Sequence, residues 1–373
     1  MTELPLTDQS APAWTQPRFQ RAFLVTLIAA LLIAAAMNLI VDPFHLYGVG
    51  TFPRAEVNHY EMKIELFREF DPPAQALILG SSRVMSFDPE VVEKITGRRC
   101  FNFSVPSART ETYYAVLRLA LEEESRSGQT DGVGSTRGIE APIDTVIVAV
   151  EPEALHPTLP IEPEARFLPE YSRYFIHDPR GRASVLEKAL LLFTLDQTNE
   201  SISTLRRAMR KQAGRSKLEY RADGFSVQIE REEEIAAGTF DLDARIESRI
   251  RKYPERSMRL SEFKELSPTR KAYWEDFLSL CDREGIRVYA FLPPVHPSLW
   301  SLLSEIGAEP IFEKVSEYLG RTVSEHGGRF ADYTRLDSFG GDPSLFYDEV
   351  HMRPSNGERL LRQLLSPDEA GGD

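Results

Sequence analysis

The sequence has few cysteines and lacks the short motifs that mark several common enzyme classes. Its two cysteines, Cys100 and Cys281, are too few for a disulfide framework or for a CxxC metal site. No GxxxxGK[ST], HExxH or GxSxG pattern occurs, and no GxGxxG follows a predicted strand. The usual nucleotide-binding, zinc-protease and α/β-hydrolase interpretations therefore have no support.

Basic residues are outnumbered by acidic ones. The chain has 44 Lys and Arg against 57 Asp and Glu, a formal net charge of -13. Because affinity for nucleic acid comes mainly from Lys and Arg, we expect no nucleic-acid partner. Hydrophobic residues make up 42% of the 373 residues, which excludes a wholly disordered chain and suffices for a sizeable core.

One long apolar segment stands near the amino terminus. Ala22 to Val41 is a run of twenty residues without a charge. A helix of this length, at about 1.5 Å per residue, spans the roughly 30 Å hydrocarbon core of a bilayer. Arg18 and Arg21 precede it, and positive charge on that side predicts that residues 1–21 form a cytoplasmic tail. We therefore expect a transmembrane anchor at 22–41 and a periplasmic or extracellular remainder.

A cleaved signal peptide is the competing interpretation of this segment. Ala34 to Ala36 offers an A-x-A-like cleavage site within the run. The run continues to Val41, which is long for the core of a signal peptide and favours the anchor. Both interpretations export the bulk of the chain.

Helical and strand-like segments alternate after the anchor. Residues 42–73 are expected to form a linker and a lead-in helix. Strands are predicted at 74–79, 100–103, 144–150, 286–292 and 329–332, and helices at 61–70, 89–95, 110–124, 267–284, 311–325 and 355–365. Continuous apolar strands separated by helices are typical of a parallel sheet covered on both faces, so we predict an α/β domain over 74–366.

Residues 160–270 interrupt this alternation. They contain a basic amphipathic helix at about 186–215 and an acidic stretch at 230–234, whose charges we expect to be solvated. We interpret them as a helical insertion within the α/β domain. The last residues, 367–373, are expected to form a flexible tail.

The candidate site lies in the loops after the strands, because open parallel sheets bind ligands at the carboxyl ends of their strands. Ser82 follows the first strand, in Gly80-Ser81-Ser82-Arg83. A serine nucleophile needs a base, a residue that orients the base, and donors to the developing oxyanion. His351 is the candidate base and Asp348 its orienting carboxylate, and the backbone N–H groups of Ser82 and Ser107 are candidate oxyanion donors.

The order of these residues along the chain is more specific than any one of them. A GSS tripeptide alone is more often a turn, and DxxH alone is more often a helix cap. A strand-end serine near the start of an α/β domain, with DxxH before its last helix, resembles the SGNH (GDSL-type) hydrolase superfamily. By residue matching, Ser82 falls on the nucleophile of that family, and Asp348 and His351 fall on its acid–base dyad.

The resemblance implies a three-layer, flavodoxin-like parallel sheet and covers about residues 74–156 and 286–365. The Gly-Ser-Ser variant of the first block looks like the membrane-anchored branch that handles acyl groups on cell-envelope polymers, such as the DltD proteins. It is also similar in layout to the periplasmic alginate O-acetylation proteins. Asn102 to Ala108 falls on the second block, where Asn102 is a candidate oxyanion or substrate-binding residue and Ser107 replaces the usual oxyanion glycine.

The third block departs from the family. The usual Gly-x-Asn-Asp is absent, and the sequence reads Val150-Glu151-Pro152-Glu153. Loss of one oxyanion donor typically lowers the rate by about two to three orders of magnitude. Another group substitutes, or the enzyme is slow, or the fold serves without catalysis. Ser81 is an alternative nucleophile if the turn is shifted by one residue.

Several other polar residues lie near these loops. Arg83 and Arg109 either bind an anionic group or pair with Glu151 or Glu153. His296 follows a predicted strand, and we interpret it as a capping or packing residue. The remaining histidines show no ligand spacing, so no metal site is expected. Cys100 and Cys281 either form a disulfide outside the cytoplasm or remain buried thiols.

The expected function is that of an exported serine acyltransferase or esterase, tethered to the membrane, that acts on O-acyl groups of an envelope polysaccharide or glycan. This chemistry needs no cofactor. The tether and the resemblance favour acyl transfer, with an integral-membrane O-acyltransferase as the partner. The alternative is a catalytically inactive scaffold or glycan-binding protein of the same fold.

Overall fold

The computed structural model describes residues 17–49, 52, 58–127, 142–178, 184–210, 218–256, 260 and 263–366. The chain divides into two compact units. The helical unit comprises residues 1–57 and 183–216, and the sheet unit comprises 58–182 and 217–373. The segment predicted as one insertion, 160–270, is thus divided between the units. The predicted tail at 367–373 and most of the tail at 1–21 lie outside the described residues.

The strands of the described residues are β1 Ala76–Leu79, β2 Cys100–Asn102, β3 Thr145–Ala149, β4 Leu218–Tyr220, β5 Ser226–Gln228, β6 Arg287–Leu292 and β7 Arg329–Asp332. The helices are α1 Pro17–Val41, α2 His59–Glu69, α3 Pro89–Thr96, α4 Thr110–Ser127, α5 Pro163–Phe167, α6 Pro169–Ser172, α7 Val185–Leu191, α8 Leu195–Met209, α9 Ile229–Ala236, α10 Leu242–Arg256, α11 Pro268–Glu284, α12 Pro297–Glu305, α13 Glu309–Glu325 and α14 Pro354–Leu365.

The sheet unit contains the predicted parallel sheet. Its five strands lie in the order β2-β1-β3-β6-β7, all parallel. Numbered within the sheet, this is the doubly wound order 2-1-3-4-5, which reverses direction between β1 and β3. Each predicted strand is present, and its ends differ from the prediction by at most two residues.

Helices cover both faces of the sheet because its strands are apolar on both sides. Leu77 and Leu79 of β1 belong to one buried cluster, whereas Ala76 and Ile78 belong to the other. α4 packs on α11 at the larger cluster, and α3 packs on α14 at the smaller one. The alternation of side chains along a strand thus produces a layer of helices on each face.

Local sequence determines where the principal helices begin and end. Asp88 caps α3 by accepting a hydrogen bond from the N–H of Glu90, and Pro89 occupies the first turn. Ser267 caps α11 in the same way. Gly97 and Gly285 end these two helices with φ of 70° each, the left-handed conformation that glycine adopts at low cost.

Two features differ from the prediction. The single helix predicted at 186–215 is two helices, α7 and α8, because the side chain of Thr194 accepts a hydrogen bond from the N–H of Gln197 and starts a new helix. The antiparallel hairpin of β4 and β5 was not predicted. Its strands are three residues each, too short to show a hydrophobic period.

This hairpin covers the edge of the sheet at β2. The N–H of Asn102 donates to the carbonyl of Asp223, 2.9 Å away, in the turn of the hairpin. Lys63 of α2 is fully buried, and its Nζ donates to the carbonyl oxygens of Asn102 and Gly224. Burial lowers the pKa of Lys63 well below its usual value. The hairpin therefore supplies partners to backbone groups that an open edge would leave unpaired.

We expect Gly224→Ala to destabilise the protein far more than Gly238→Ala. Both glycines have positive φ, 78° and 68°, so alanine costs roughly 1–2 kcal/mol of backbone strain at either. At 224 the added Cβ would lie 2.3 Å from the carbonyl oxygen of Asn102, whereas no described atom lies within 4 Å at 238. That clash adds about 1–3 kcal/mol, and each kcal/mol lowers the melting temperature by roughly 2–4 °C.

Differential scanning fluorimetry of the detergent-solubilised full chain measures both variants. Equal melting temperatures for the two variants would show that the hairpin turn does not pack on β2 as described.

Candidate active site

The candidate site begins where the strand order reverses. β1 and β3 are neighbours, and the loops that follow them lie at the same edge of the sheet, where doubly wound folds bind their ligands. Gly80 is the first residue after β1. A Cβ on it would lie 2.4 Å from Cγ2 of Val84 and 3.1 Å from Cβ of Ala149, so the turn that presents Ser82 needs glycine.

The structure brings the three predicted triad residues together. Nε2 of His351 lies 2.9 Å from Oγ of Ser82, across 269 positions of sequence. Nδ1 of His351 lies 2.8 Å from Oδ1 and 2.9 Å from Oδ2 of Asp348. A carboxylate only accepts hydrogen bonds, so Nδ1 carries the proton and, in a neutral imidazole, Nε2 is left to accept from Ser82. Ser82 is partly exposed and so accessible to a substrate.

A short closed loop holds His351 in place. Phe346 and Met352 form an isolated antiparallel bridge, and the N–H of Tyr347 donates to the carbonyl of His351 at 2.8 Å. Within the loop, Oδ1 of Asp348 accepts the N–H groups of Val350 and His351 at 3.1 and 2.9 Å. Asp348 thus fixes both the backbone and the ring of the base.

Arg249 of α10 completes the environment of Asp348. Its Nη2 donates to Oδ2 of Asp348 at 2.8 Å, and its Nε donates to Glu349. Burial alone would raise the pKa of Asp348, but the charges and hydrogen bonds of His351 and Arg249, with the backbone N–H of Val350, hold that pKa well below its usual value. Asp348 therefore remains ionised beside the imidazole.

Arg249 was not among the predicted site residues. It lies within the segment interpreted as a helical insertion and not as part of the site, yet it pairs with Asp348 and Glu349. The sequence signal was the pair of adjacent carboxylates in Asp348-Glu349, since two carboxylates that are both buried need a nearby cation.

Two backbone N–H groups are free to act as oxyanion donors. Among the described residues, no acceptor is found for the N–H of Ser82 or of Ser107. Ser107 is exposed, and its φ is 52°, the left-handed region that favours glycine. This strained conformation belongs to the loop after β2, where the oxyanion glycine was expected.

Asn102, predicted as an oxyanion or substrate-binding residue, has a structural role instead. It is fully buried, and its Nδ2 donates to the carbonyl oxygens of Val84 and Phe87 at 2.8 and 2.9 Å. Its Oδ1 accepts the N–H of Ser104 at 3.0 Å. All these groups are internal to the two loops, so Asn102 fixes the loops to each other and does not face a substrate.

Ser81 and Arg83 are engaged with the third block. The hydroxyl of Ser81, which is buried, donates to the carboxylate of Glu151, so Ser81 is not in position to be the nucleophile. Nε of Arg83 lies 3.8 Å from Oε1 of Glu151, and its Nη2 lies 3.3 Å from Oε1 of Glu153. Burial raises the pKa of Glu151, and the charge of Arg83 and the hydroxyl of Ser81 oppose that rise. Of the two interpretations of Arg83, pairing is the observed one.

The other candidate residues have structural contacts. Arg109 pairs with Glu162 at 3.4 Å, not with the third block. His296 caps α12 by accepting the N–H of Ser298 at 3.2 Å, as expected. Cys100 and Cys281 are buried free thiols, not a disulfide. Within the described ranges, no three His, Cys, Asp or Glu side chains are arranged to hold a metal ion.

Comparison with known proteins does not identify the chain. It matches no protein-family model, and no curated protein is significantly similar to it in sequence. The geometry of the site is therefore the guide to its chemistry.

We expect Asp348→Asn to lower the melting temperature at pH 7 by an amount that shrinks in acid. The folded-state pKa of Asp348 lies below the value of about 3.9 expected in an unfolded chain, so its stabilising contribution is complete above pH 3.9 and is lost as the pH falls toward the folded-state value. Each pH unit in that range removes up to about 1.4 kcal/mol.

Melting curves of wild type and Asp348→Asn from pH 7 to pH 3 provide the measurement. Asp337→Asn, which changes an exposed carboxylate, is the matched control and should differ little from wild type. A deficit in Asp348→Asn that stays constant with pH would contradict the electrostatic account.

Proposed function

We propose that the protein is a serine acyl-transfer enzyme whose nucleophile is Ser82. One observation carries the proposal: an unbroken chain of hydrogen bonds runs from the Ser82 hydroxyl through His351 to an ionised Asp348 at the edge of the sheet. The same order of contacts, from nucleophile to base to orienting carboxylate, recurs in acyl-transfer enzymes of many unrelated folds.

The reaction follows from the positions of the protons. Nε2 of His351 removes the proton of Ser82 as Oγ attacks the carbonyl carbon of an ester, and the N–H groups of Ser82 and Ser107 donate to the resulting oxyanion. The imidazolium, stabilised by Asp348, then protonates the departing alcohol and leaves an acyl-Ser82. Water or a sugar hydroxyl, deprotonated by His351, attacks that ester and restores the serine.

The proposed family is the SGNH superfamily. Three observations support it: the 2-1-3-4-5 strand order, the Ser82–His351 contact between its first and last blocks, and the left-handed backbone of Ser107 where the family has glycine. The third block remains the departure. Pro152 stands where the family has its oxyanion asparagine, and the side chain of proline has no hydrogen-bond donor.

The proposed substrate is an O-acylated polysaccharide or glycan of the cell envelope. α1 is the described helix that is long and apolar enough to cross a membrane, with a mean hydropathy of 2.6 over its most apolar part. We place the sheet unit on the periplasmic or extracellular side, because Arg18 and Arg21 precede the apolar run. A tethered transferase suits a polymer acylated at the membrane, with an integral-membrane O-acyltransferase as its partner.

A second candidate is a scaffold or glycan-binding protein of the same fold without catalysis. Pro152 at the asparagine position favours it, because two backbone N–H groups would have to stabilise the oxyanion without a side-chain donor. The two candidates differ in one measurable property, the reactivity of Ser82.

Labelling of the full chain by a fluorophosphonate probe distinguishes the candidates. We expect wild type to be labelled, and Ser82→Ala and His351→Ala to lose at least about 100-fold in labelling rate, because the first lacks the nucleophile and the second its base. Ser81→Ala is the matched control. It removes the neighbouring hydroxyl, which is engaged with Glu151, and should still be labelled.

Absence of labelling in a wild-type protein that still shows a cooperative melting transition would support the scaffold. Labelling that persists in Ser82→Ala would contradict the assigned nucleophile.

A further inference from the structure

The helical unit exposes apolar side chains where a water-soluble protein would bury them. Val185, Leu186 and Leu190 of α7 are 86%, 67% and 57% exposed. Phe193, in the turn to α8, and Leu195, at the start of α8, are 45% and 79% exposed. We call Val185 to Leu195 the apolar turn. Five exposed apolar side chains in so short a segment favour a membrane or protein contact.

The buried residues of α8 are all polar, and in α1 the polar Asn38 is buried together with Ala35 and Val41. Asn38 of α1 and Gln197, Ser201 and Thr204 of α8 are each at most 3% exposed. The three residues of α8 recur at intervals of four and three, so they lie on one face of that helix. α8 packs against α1. Polar and small residues between helices, with apolar residues outside, are the arrangement of helices packed in lipid.

Hydrogen bonds tie the apolar turn to the carboxyl end of α1. Nδ2 of Asn38 donates to the carbonyl of Leu192 at 2.8 Å and to Oγ1 of Thr198 at 2.9 Å. The hydroxyl of Tyr47 donates to the carbonyl of Lys188 at 2.8 Å. Asn38 is three residues from the end of α1, or about 4.5 Å along the helix axis. The turn is thus held at the level where a membrane-spanning α1 would leave the hydrocarbon core.

The neighbouring surface suits that level. Leu39 and Ile40 of α1, which follow Asn38, are exposed, so the apolar surface of the anchor continues next to the apolar turn. Exposed apolar side chains beside the end of a spanning helix are typical of segments that lie at the boundary between headgroups and acyl chains.

We propose that the apolar turn inserts into the bilayer that α1 spans, in the leaflet at the carboxyl end of α1. The contact is with lipid and is separate from the chemistry of Ser82. It rests on the proposed membrane anchoring of α1 and on no catalytic step. The protein then has two membrane contacts, one spanning and one interfacial, and the second fixes the helical unit at the membrane surface.

Nitroxide accessibility in nanodiscs with one protein per disc tests this placement. Single cysteines replace Leu190 or Leu195 in a full-length Cys100→Ala/Cys281→Ala background and carry a spin label. We expect these labels to be more accessible to oxygen, which concentrates in lipid, than to a water-soluble nickel chelate. Ile33→Cys in α1 is the control for lipid exposure, and Glu313→Cys, at an exposed position of α13, is the control for water.

Each outcome decides the proposal. Oxygen-to-nickel ratios at 190 and 195 near the ratio at 33 support insertion. Ratios near that at 313 overturn it, and low accessibility to both reagents overturns it in favour of a protein contact. If the label at position 33 is itself more accessible to the nickel chelate than to oxygen, α1 does not span the bilayer and the insertion proposal fails with it. The acyl-transfer proposal is unaffected by that result.

Discussion

The proposed chemistry depends on one charge, the carboxylate of Asp348. It accepts hydrogen bonds from Nδ1–H of His351, from two backbone N–H groups of its own loop and from the guanidinium of Arg249. These contacts set the imidazole tautomer and direct Nε2 toward Ser82, on a loop that follows a different strand. A neutral Asp348 would lose the attraction to Arg249 and could no longer stabilise the imidazolium that forms when Ser82 is deprotonated.

The sheet supplies the precision that this arrangement needs. Ser82 leaves β1 through a turn that only glycine fits at position 80, and Asn102 fixes the loop after β1 to the loop after β2. Lys63 and the β4–β5 hairpin in turn hold Asn102 by its backbone. Residues far from Ser82 in sequence therefore determine its position, since the two loops that present Ser82 and Ser107 share these contacts.

Much of this could be predicted from the sequence, for identifiable reasons. The strands were found because buried parallel strands are continuous apolar runs, and the triad was found because its residues follow strands or precede the last helix. The role of Asn102 was missed because side-chain bonds to local carbonyls leave no pattern in sequence. Arg249 was missed because a long-range ion pair leaves no periodic signal in the sequence. The β4–β5 hairpin was missed because strands of three residues are too short to show a period. The break between α7 and α8 was missed because it depends on a single cap, Thr194.

Peptide mapping of the acyl-enzyme tests the central claim most directly. The full chain is incubated with an activated acetyl ester, quenched in acid and digested, and the acetylated residue is located by tandem mass spectrometry. The account predicts acetyl on Ser82, at a level that falls sharply when His351 is replaced by alanine. Acetyl on Ser81 or Ser107, or none on Ser82 in a folded protein, would contradict it.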